Sequence, residues 1–511
     1  MSLDLAIGIA RSGLQATQRA LANVSQNITN AETAGYTRKT GAAESRTAGG
    51  MPLGVRLGDA QREVDQALLN ERDSRGGEAA AAAVREGLLS GIEAMQGTAG
   101  AGETLGDAIA ALQAGLTSLR AAPQEGSLQR AAVNAAREVA SRFQDIAGAV
   151  ADARQQAHDG MVREVAQVNA GLREIAQLTI AIRGDRSRGL GTADLEDQRD
   201  LAIGRLAQSL PVQPLHQADG GLVLLARGGF ALPLEPEGEA ITARIADLGP
   251  GSFHGPAGDI PPILLGGADI TRQLGGGRLG EYITLRDATL PRYQAELDLA
   301  AATLATRFDQ QGLRLFTGAA GEVPDTGLPY TDPAAAQLGF ARQVRVGEAV
   351  AGNPALLRDG THAVADAPGG ASGFTPNPPD GPAGFATLLD RVLTHSLGET
   401  VRPGVPWPPI ASGGIGPDGG LASPFIPPRG IGDYAATITG VQAADRAAAT
   451  AARERAEGLK AGMDARFQRE SGVDPDAEMA ALIRLQNAYA ANARVLNTAQ
   501  QMWEQLQSIG R

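Results

Sequence analysis

The sequence contains no cysteine, and Lys39 and Lys460 are its only lysines. Without cysteine, disulfides, thiolate metal sites and a thiol nucleophile are all excluded, and a secreted protein of this size must be held by its core. No run of about 18 apolar residues occurs, which rules out an ordinary membrane-spanning helix. The opening MSLDLAIGIARSGLQ has no basic head, no continuous apolar stretch and no small-residue cleavage site. It therefore does not read as a cleavable secretory signal, and a chain that leaves the cell would need another route. No basic patch offsets the formal charge of −12, which argues against nucleic acid or an anionic membrane as partner. The arginines alternate with acidic residues along helical stretches, the pattern of solvated helix faces.

Signs of catalysis are missing as well. The histidines at 158, 216, 254, 362 and 395 form no HExxH and no zinc-ligand spacing, and no GxSxG occurs. GGGRLG at residues 275–280 matches the GxGxxG spacing, but no convincing strand precedes it and it leads into EYITL instead of directly opening a helix, so a tight turn before a helix is expected there. In DLEDQRD, Asp197, Arg199 and Asp200 read as an exposed face of helix-start charges and ion pairs. No catalytic, cofactor-binding or metal-binding residue is expected.

What the sequence does contain is helical periodicity. Ile7, Ala10, Leu14, Thr17, Leu21, Val24 and Ile28 step by three and four, the spacing of a coiled-coil seam. At the other end, Leu485, Ala488, Asn492, Val495, Ala499, Met502, Leu506 and Ile509 form a second seam. An overlapping one runs through Leu482, Leu485, Tyr489, Asn492, Leu496, Ala499, Trp503 and Leu506, so this stripe is broad enough to meet more than one helix. Between the ends lie a seam from Leu105 to Leu119, broken by Pro123, and a very long helix over about residues 126–183.

A length of 511 residues exceeds what one core holds, so two or more domains are expected. The expected fold class is mainly α with β-rich insertions. Residues 1–40 and 471–511 would form a terminal helical coiled-coil layer, an inner tube. Residues 41–210, 285–316 and 431–470 would form a long-helix shaft. Residues 211–284, with runs such as LVLLA between turns, would be a small β-rich insertion, and the Gly- and Pro-rich residues 317–430 a second β-type insertion. Such nesting brings the two ends of the chain together.

SQNITNAETAGYTRKT at residues 25–40 ends the first helix in a turn that apolar periodicity does not explain. Through Asn27, Ile28, Asn30, Thr33, Gly35 and Tyr36 it resembles the N-terminal signature of bacterial flagellar axial proteins, with Ala34 where that family often has proline. Thr37 and Arg38 resemble the hook-associated branch. LEDQRD at 195–200, GGRLGEYITLRD at 276–287 and the stretch from Ser471 to Leu506, including Glu478, Gln486 and Asn492, resemble further stretches of that branch in the same order.

The resemblance implies a secreted, non-enzymatic structural subunit of the flagellum, exported through the flagellar type III apparatus and only transiently cytoplasmic. It implies self-association in a ring or helical layer, hook protein on one side, the second junction protein FlgL on the other, and the export chaperone FlgN. The assembly interface expected on this basis comprises Ile7, Leu14, Leu21, Val24, Ile28, Leu485, Tyr489, Asn492, Leu496, Trp503 and Leu506. The signature turn comprises Asn27, Asn30, Gly35, Tyr36, Thr37 and Arg38. The alternatives are another axial subunit, from hook or distal rod, and a surface adhesin displayed by the β insertion.

Overall fold

The computed structural model describes residues 3–48, 51–97 and 102–509. Helix dominates it. The first helix, α1 (Leu3–Thr29), leads through the Gly35 turn into an antiparallel hairpin, β1 (Lys39–Ala48) and β2 (Met51–Arg62). The expected all-helical stretch from residue 41 therefore begins with a ribbon. This ribbon leans on α1, and its tight fit shows at Gly54 (φ +107), where a Cβ would lie 1.9 Å from Ser12 Oγ.

The shaft follows. Asp65 caps α2 (Gln66–Gln96) by accepting from the N–H groups of Ala67 and Leu68, and Thr104 with Asp107 forms a capping box on α3 (Leu105–Ala121). Then comes α4 (Gly126–Ser187), 62 residues without a proline and so about 90 Å long. Its buried residues recur every three or four positions, from Val133, Ala136, Val139 and Phe143 to Leu172, Ile175, Thr179 and Ile182. The first half of that stripe joins α3 and the late helix Leu290–Gln310 in one core. The second half packs on α5 (Ala193–Ser209) and on the small sheet β3 (Val212–His216), β4 (Leu222–Ala226) and β5 (Ala231–Leu232) in another. Strands β6 (Ile241–Thr242), β7 (Leu264–Leu265) and β8 (Ala268–Asp269) complete this insertion.

GGGRLG is the tight turn before a helix that was expected, but the helix, α6 (Gly277–Thr284), opens within it and not after it. Its glycines serve close packing: a Cβ on Gly277 (φ +61) would lie 2.6 Å from the Ser209 carbonyl oxygen. A π-turn at Leu285–Thr289 carries α6 into α7 (Leu290–Gln310), which is buried nearly throughout.

Residues 317–430 wrap around α7 through two- and three-residue strands and the short helices α8 (Glu348–Gly352), α9 (Leu356–Asp359) and α10 (Thr387–Arg391). Most of their buried apolar side chains, among them Phe340, Val344, Leu357, Leu388 and Ile415, join the α3–α4–α7 cluster, and only a small cluster of Ala371, Val401 and Trp407 is their own. Buried polar groups of α7 supply what backbone pairing does not. Asp298 accepts from the N–H groups of Gly339 (2.8 Å) and Ala341 (2.9 Å) and from the Tyr330 hydroxyl (2.8 Å). Arg307 donates to the Arg429 carbonyl (2.7 Å). Several basic groups are thus interior, including Arg286 and Arg154, whereas pairs such as Arg75–Glu71, Arg142–Glu138 and Arg466–Glu470 do lie on solvated helix faces as expected.

Two long helices end the described chain. Helix α11 (Ile431–Ser471) runs antiparallel to α2, with Arg446 near Glu93 at one end and Phe467 on Leu68 and Leu69 at the other. Helix α12 (Pro475–Ile509) turns back to pack on α1.

Candidate functional site

The two outer seams meet. Gly13 of α1 faces Asn492 of α12, where an added Cβ would come within 3.1 Å of the Asn492 amide nitrogen, and Asn27 faces Glu478. These two matches fix an antiparallel register in which the last turn of α12 passes the start of α1. Within this pair Ala10, Thr17 and Val24 are buried, whereas Ile7, Leu14, Leu21 and Ile28 remain half-buried. On α12, Leu485, Asn492 and Leu496 are half-buried and Ala499 is buried. Tyr489 and Trp503, expected in the seam, are exposed at 36% and 40%. The side chain of Leu506 lies outside the described residues. Met479, Ile483, Val495 and Met502 also point outward, so apolar surface remains after the chain has paired with itself.

At the inner end of this helix pair, the signature turn docks on the shaft. Asn27 is only 1% exposed, and all four of its hydrogen-bonding positions are filled. Its amide nitrogen donates to the Lys39 carbonyl (3.0 Å) and to Glu478 Oε2 (3.2 Å). Its oxygen accepts from the Lys39 N–H (3.1 Å) and the Tyr36 hydroxyl (2.9 Å). Burial, with Asp194, Asp197 and Glu478 nearby, raises the Tyr36 pKa far above its ordinary value, so the phenol stays a donor. Asn30 accepts from the Thr33 hydroxyl (3.2 Å) and donates to the Gln26 carbonyl (3.0 Å), closing the helix end. Gly35 supplies φ +80 against Leu201, whose side chain lies 3.3 Å from where a Cβ would stand.

The receiving surface is the start of α5. Asp197 accepts from the Thr37 N–H (3.2 Å) and hydroxyl (2.6 Å) and from Arg62 (3.1 Å), and pairs with Lys39 (3.2 Å). Lys39 also pairs with Asp194 and sits over the Tyr36 ring. Arg62 reaches Asp200 (2.8 Å) and Glu196 (3.2 Å) as well. Burial works against the Arg62 charge, but Asp200, Asp197 and Glu196 outweigh it and its pKa rises. Arg199 donates to the Gly220 carbonyl (2.8 Å) and contacts His216, tying α5 to the β3–β4 turn; burial lowers the pKa of both groups.

The expectation of an exposed charged face is therefore corrected. Asp197, Arg199 and Asp200 are buried, and the ion pairs they make are interior. Lys39, Arg62, Asp194 and Glu196 belong to the same node without having been singled out in sequence. Their partners are far apart in the chain, and the available signal was that Lys39 is one of only two lysines.

Among the described residues no group of three or more His, Asp or Glu is placed to hold a metal ion, and no helix is long and apolar enough to cross a membrane. What the geometry offers is a paired set of end helices, docked on a helical body, with apolar side chains such as Met479, Ile483, Val495 and Met502 exposed on its outer face.

Residues 465–509 match the family described as flagellar basal body rod FlgEFG protein C-terminal, and residues 89–322 match the flagellar hook-associated protein FlgK helical domain. Flagellar hook-associated protein 1 of Salmonella typhimurium is 27% identical over 315 residues, 60% of this chain and 56% of that protein. Its Escherichia coli counterpart is 26% identical over 332 residues, 62% of this chain and 59% of that one. The chain thus spans little more than half the length of the curated relatives it matches. A solved flagellar hook junction protein FlgK from Burkholderia pseudomallei overlaps with a TM-score of 0.40 at 23% identity, over 50% of this chain and 45% of that one, and adds nothing to the assignment. Over residues 465–509 the chain is thus similar to the flagellar axial proteins. Over residues 89–322 it is similar, more narrowly, to the helical domain of the hook-associated FlgK family.

Proposed function

We propose that this chain joins the hook of the flagellum to its filament, self-assembling in a ring or helical layer through its end helices. The observation that carries this reading is the apolar surface left on the α1–α12 pair, where Leu14 and Leu21 are only half-covered and Val495 and Met502 are exposed. A heterologous contact through such a surface repeats from subunit to subunit and builds closed rings or helical layers. On this reading hook protein lies on one side and FlgL on the other, with no nucleic acid or membrane involved, and the chain works outside the cell after type III export. The match of residues 465–509 to rod proteins favours, as a second reading, another axial position in hook or distal rod; the match of residues 89–322 to the hook-associated family weighs against it.

The test is complementation of a junction-protein null strain by the Leu14→Asp, Leu21→Asp double variant. Each charge buried unpaired in an assembled interface costs about 3 kcal/mol or more. Export should be normal, motility poor and filament protein shed into the medium, and full motility would remove α1 from the assembly interface. Before export, the exposed apolar positions of α12 suit capture by the chaperone FlgN in a helix-in-groove manner. Deletion of residues 471–511 should abolish that binding, and unchanged binding would refute it.

A further inference from the structure

Two stretches of chain cross between the end-helix pair with its ribbon and the shaft, residues 63–65 and residues 472–474, and beside them lies the turn of residues 30–38 that links α1 to β1. Single connections of this kind act as hinges, since each has free backbone dihedrals, and Gly35 lies in the turn and Gly472 in the second crossing. Arg38, at the end of the turn, ties both crossings to it. Its backbone N–H donates to the Ser471 carbonyl (2.9 Å) at the second crossing, and its carbonyl accepts from the Glu63 N–H (3.0 Å) at the first. Its side chain repeats the same two links, with Nε donating to Glu478 Oε1 (2.8 Å) and Nη1 to Glu63 Oε2 (2.8 Å). Glu478 is 1% exposed and shares its carboxylate between Arg38 and Asn27, so each helix of the pair contributes one partner.

We infer that Arg38, with Glu478 and Asn27, is a clasp that makes the turn and the two crossings one rigid joint and so fixes the direction in which the end-helix pair leaves the shaft. The planar fork of an arginine is required, because one guanidinium must serve two carboxylates at set angles; lysine, a point charge on a flexible stem, holds one at a time. The joint is a property of the single chain and does not rest on the junction reading. An isolated monomer can therefore overturn it while assembly stands, and the reverse.

The natural absence of cysteine makes the experiment direct. Spin labels on cysteines replacing exposed Gln167 on α4 and exposed Arg484 near the start of α12 report the angle as a distance distribution by double electron–electron resonance. The parent should give one narrow distance. Arg38→Ala and Glu478→Gln should each broaden it at least twofold, Arg38→Lys should broaden it less, and Asp390→Ala, in a remote exposed pair, should leave it unchanged. Circular dichroism confirms the shaft in every variant, and if Arg38→Ala does not fold, Glu478→Gln decides by the same width. A parent distribution already broad, or clasp variants as narrow as the parent, would overturn the inference.

Discussion

Asp197→Ala removes the carboxylate on which the signature turn lands. Four contacts go with it: the Thr37 N–H and hydroxyl, Arg62, and Lys39. A buried N–H left without an acceptor costs about 1–3 kcal/mol. Breaking a buried ion pair from one side costs about 3–5 kcal/mol. These terms overlap, and the cations are not abandoned, since Arg62 keeps Asp200 and Glu196 and Lys39 keeps Asp194. The working value is therefore near the bottom of the ion-pair range, about 3 kcal/mol. With two large cores the chain is not a two-state unit, so a local probe serves better than global melting. Amide hydrogen exchange over residues 36–40 should speed up about 100-fold, at about 1.4 kcal/mol per decade, while the α3–α4 core stays unchanged. Thr37→Val, which loses only the hydroxyl bond, should cost about 1 kcal/mol. An Asp197→Ala exchange rate within threefold of the parent would refute the view that the turn is held by α5.

Gly35→Val should cost about 1–2 kcal/mol, from positive φ and the approach of Leu201, and should speed exchange at residues 33–37 without disturbing α4; an unchanged rate would count against a strained turn. Burial raises the Asp73 carboxyl to about 6, against the pull of Arg72 and with the help of Asp200 and Asp464. Because its pKa is higher folded than unfolded, its stabilising share is fully present below about pH 4 and is lost as pH rises through about 6. Asp73→Asn, whose oxygen can still accept from Arg72, should therefore gain about 2 kcal/mol relative to the parent between pH 4.5 and 7; a pH-independent difference in denaturant midpoints would refute the assignment.

The long elements were legible because their cause is local. Periodic apolar residues and the absence of proline mark α4 along its length, and the end seams announce α1 and α12 wherever they dock. The ribbon at residues 39–62 was not legible: it is rich in Ala, Gly and Arg, and it gains its place by leaning on α1 instead of by an alternating apolar face. The node at α5 escaped for a different reason. Asp197 and Asp200 are spaced like surface charges on a helix, and what buries them is a turn some 160 residues away in the chain. Likewise the Gly- and Pro-rich residues 317–430 look like an independent insertion until Asp298 and Arg307 of α7 are seen holding their backbone.

One consequence of the 62-residue helix α4 is mechanical. Both large cores are built on its two halves, so it is a strut common to both, with no loop between them along its length. A bending or twisting load applied at one core reaches the other along this helix, whose turns are each spanned by several parallel hydrogen bonds and contain no proline to start a kink, and along the continuous α6–α7 segment, whose Leu279 lies in one core and Leu290 in the other. Compliance under torque is then displaced to the places where single chain segments cross, so the clasp, not the shaft, bears the strain when the subunit is turned.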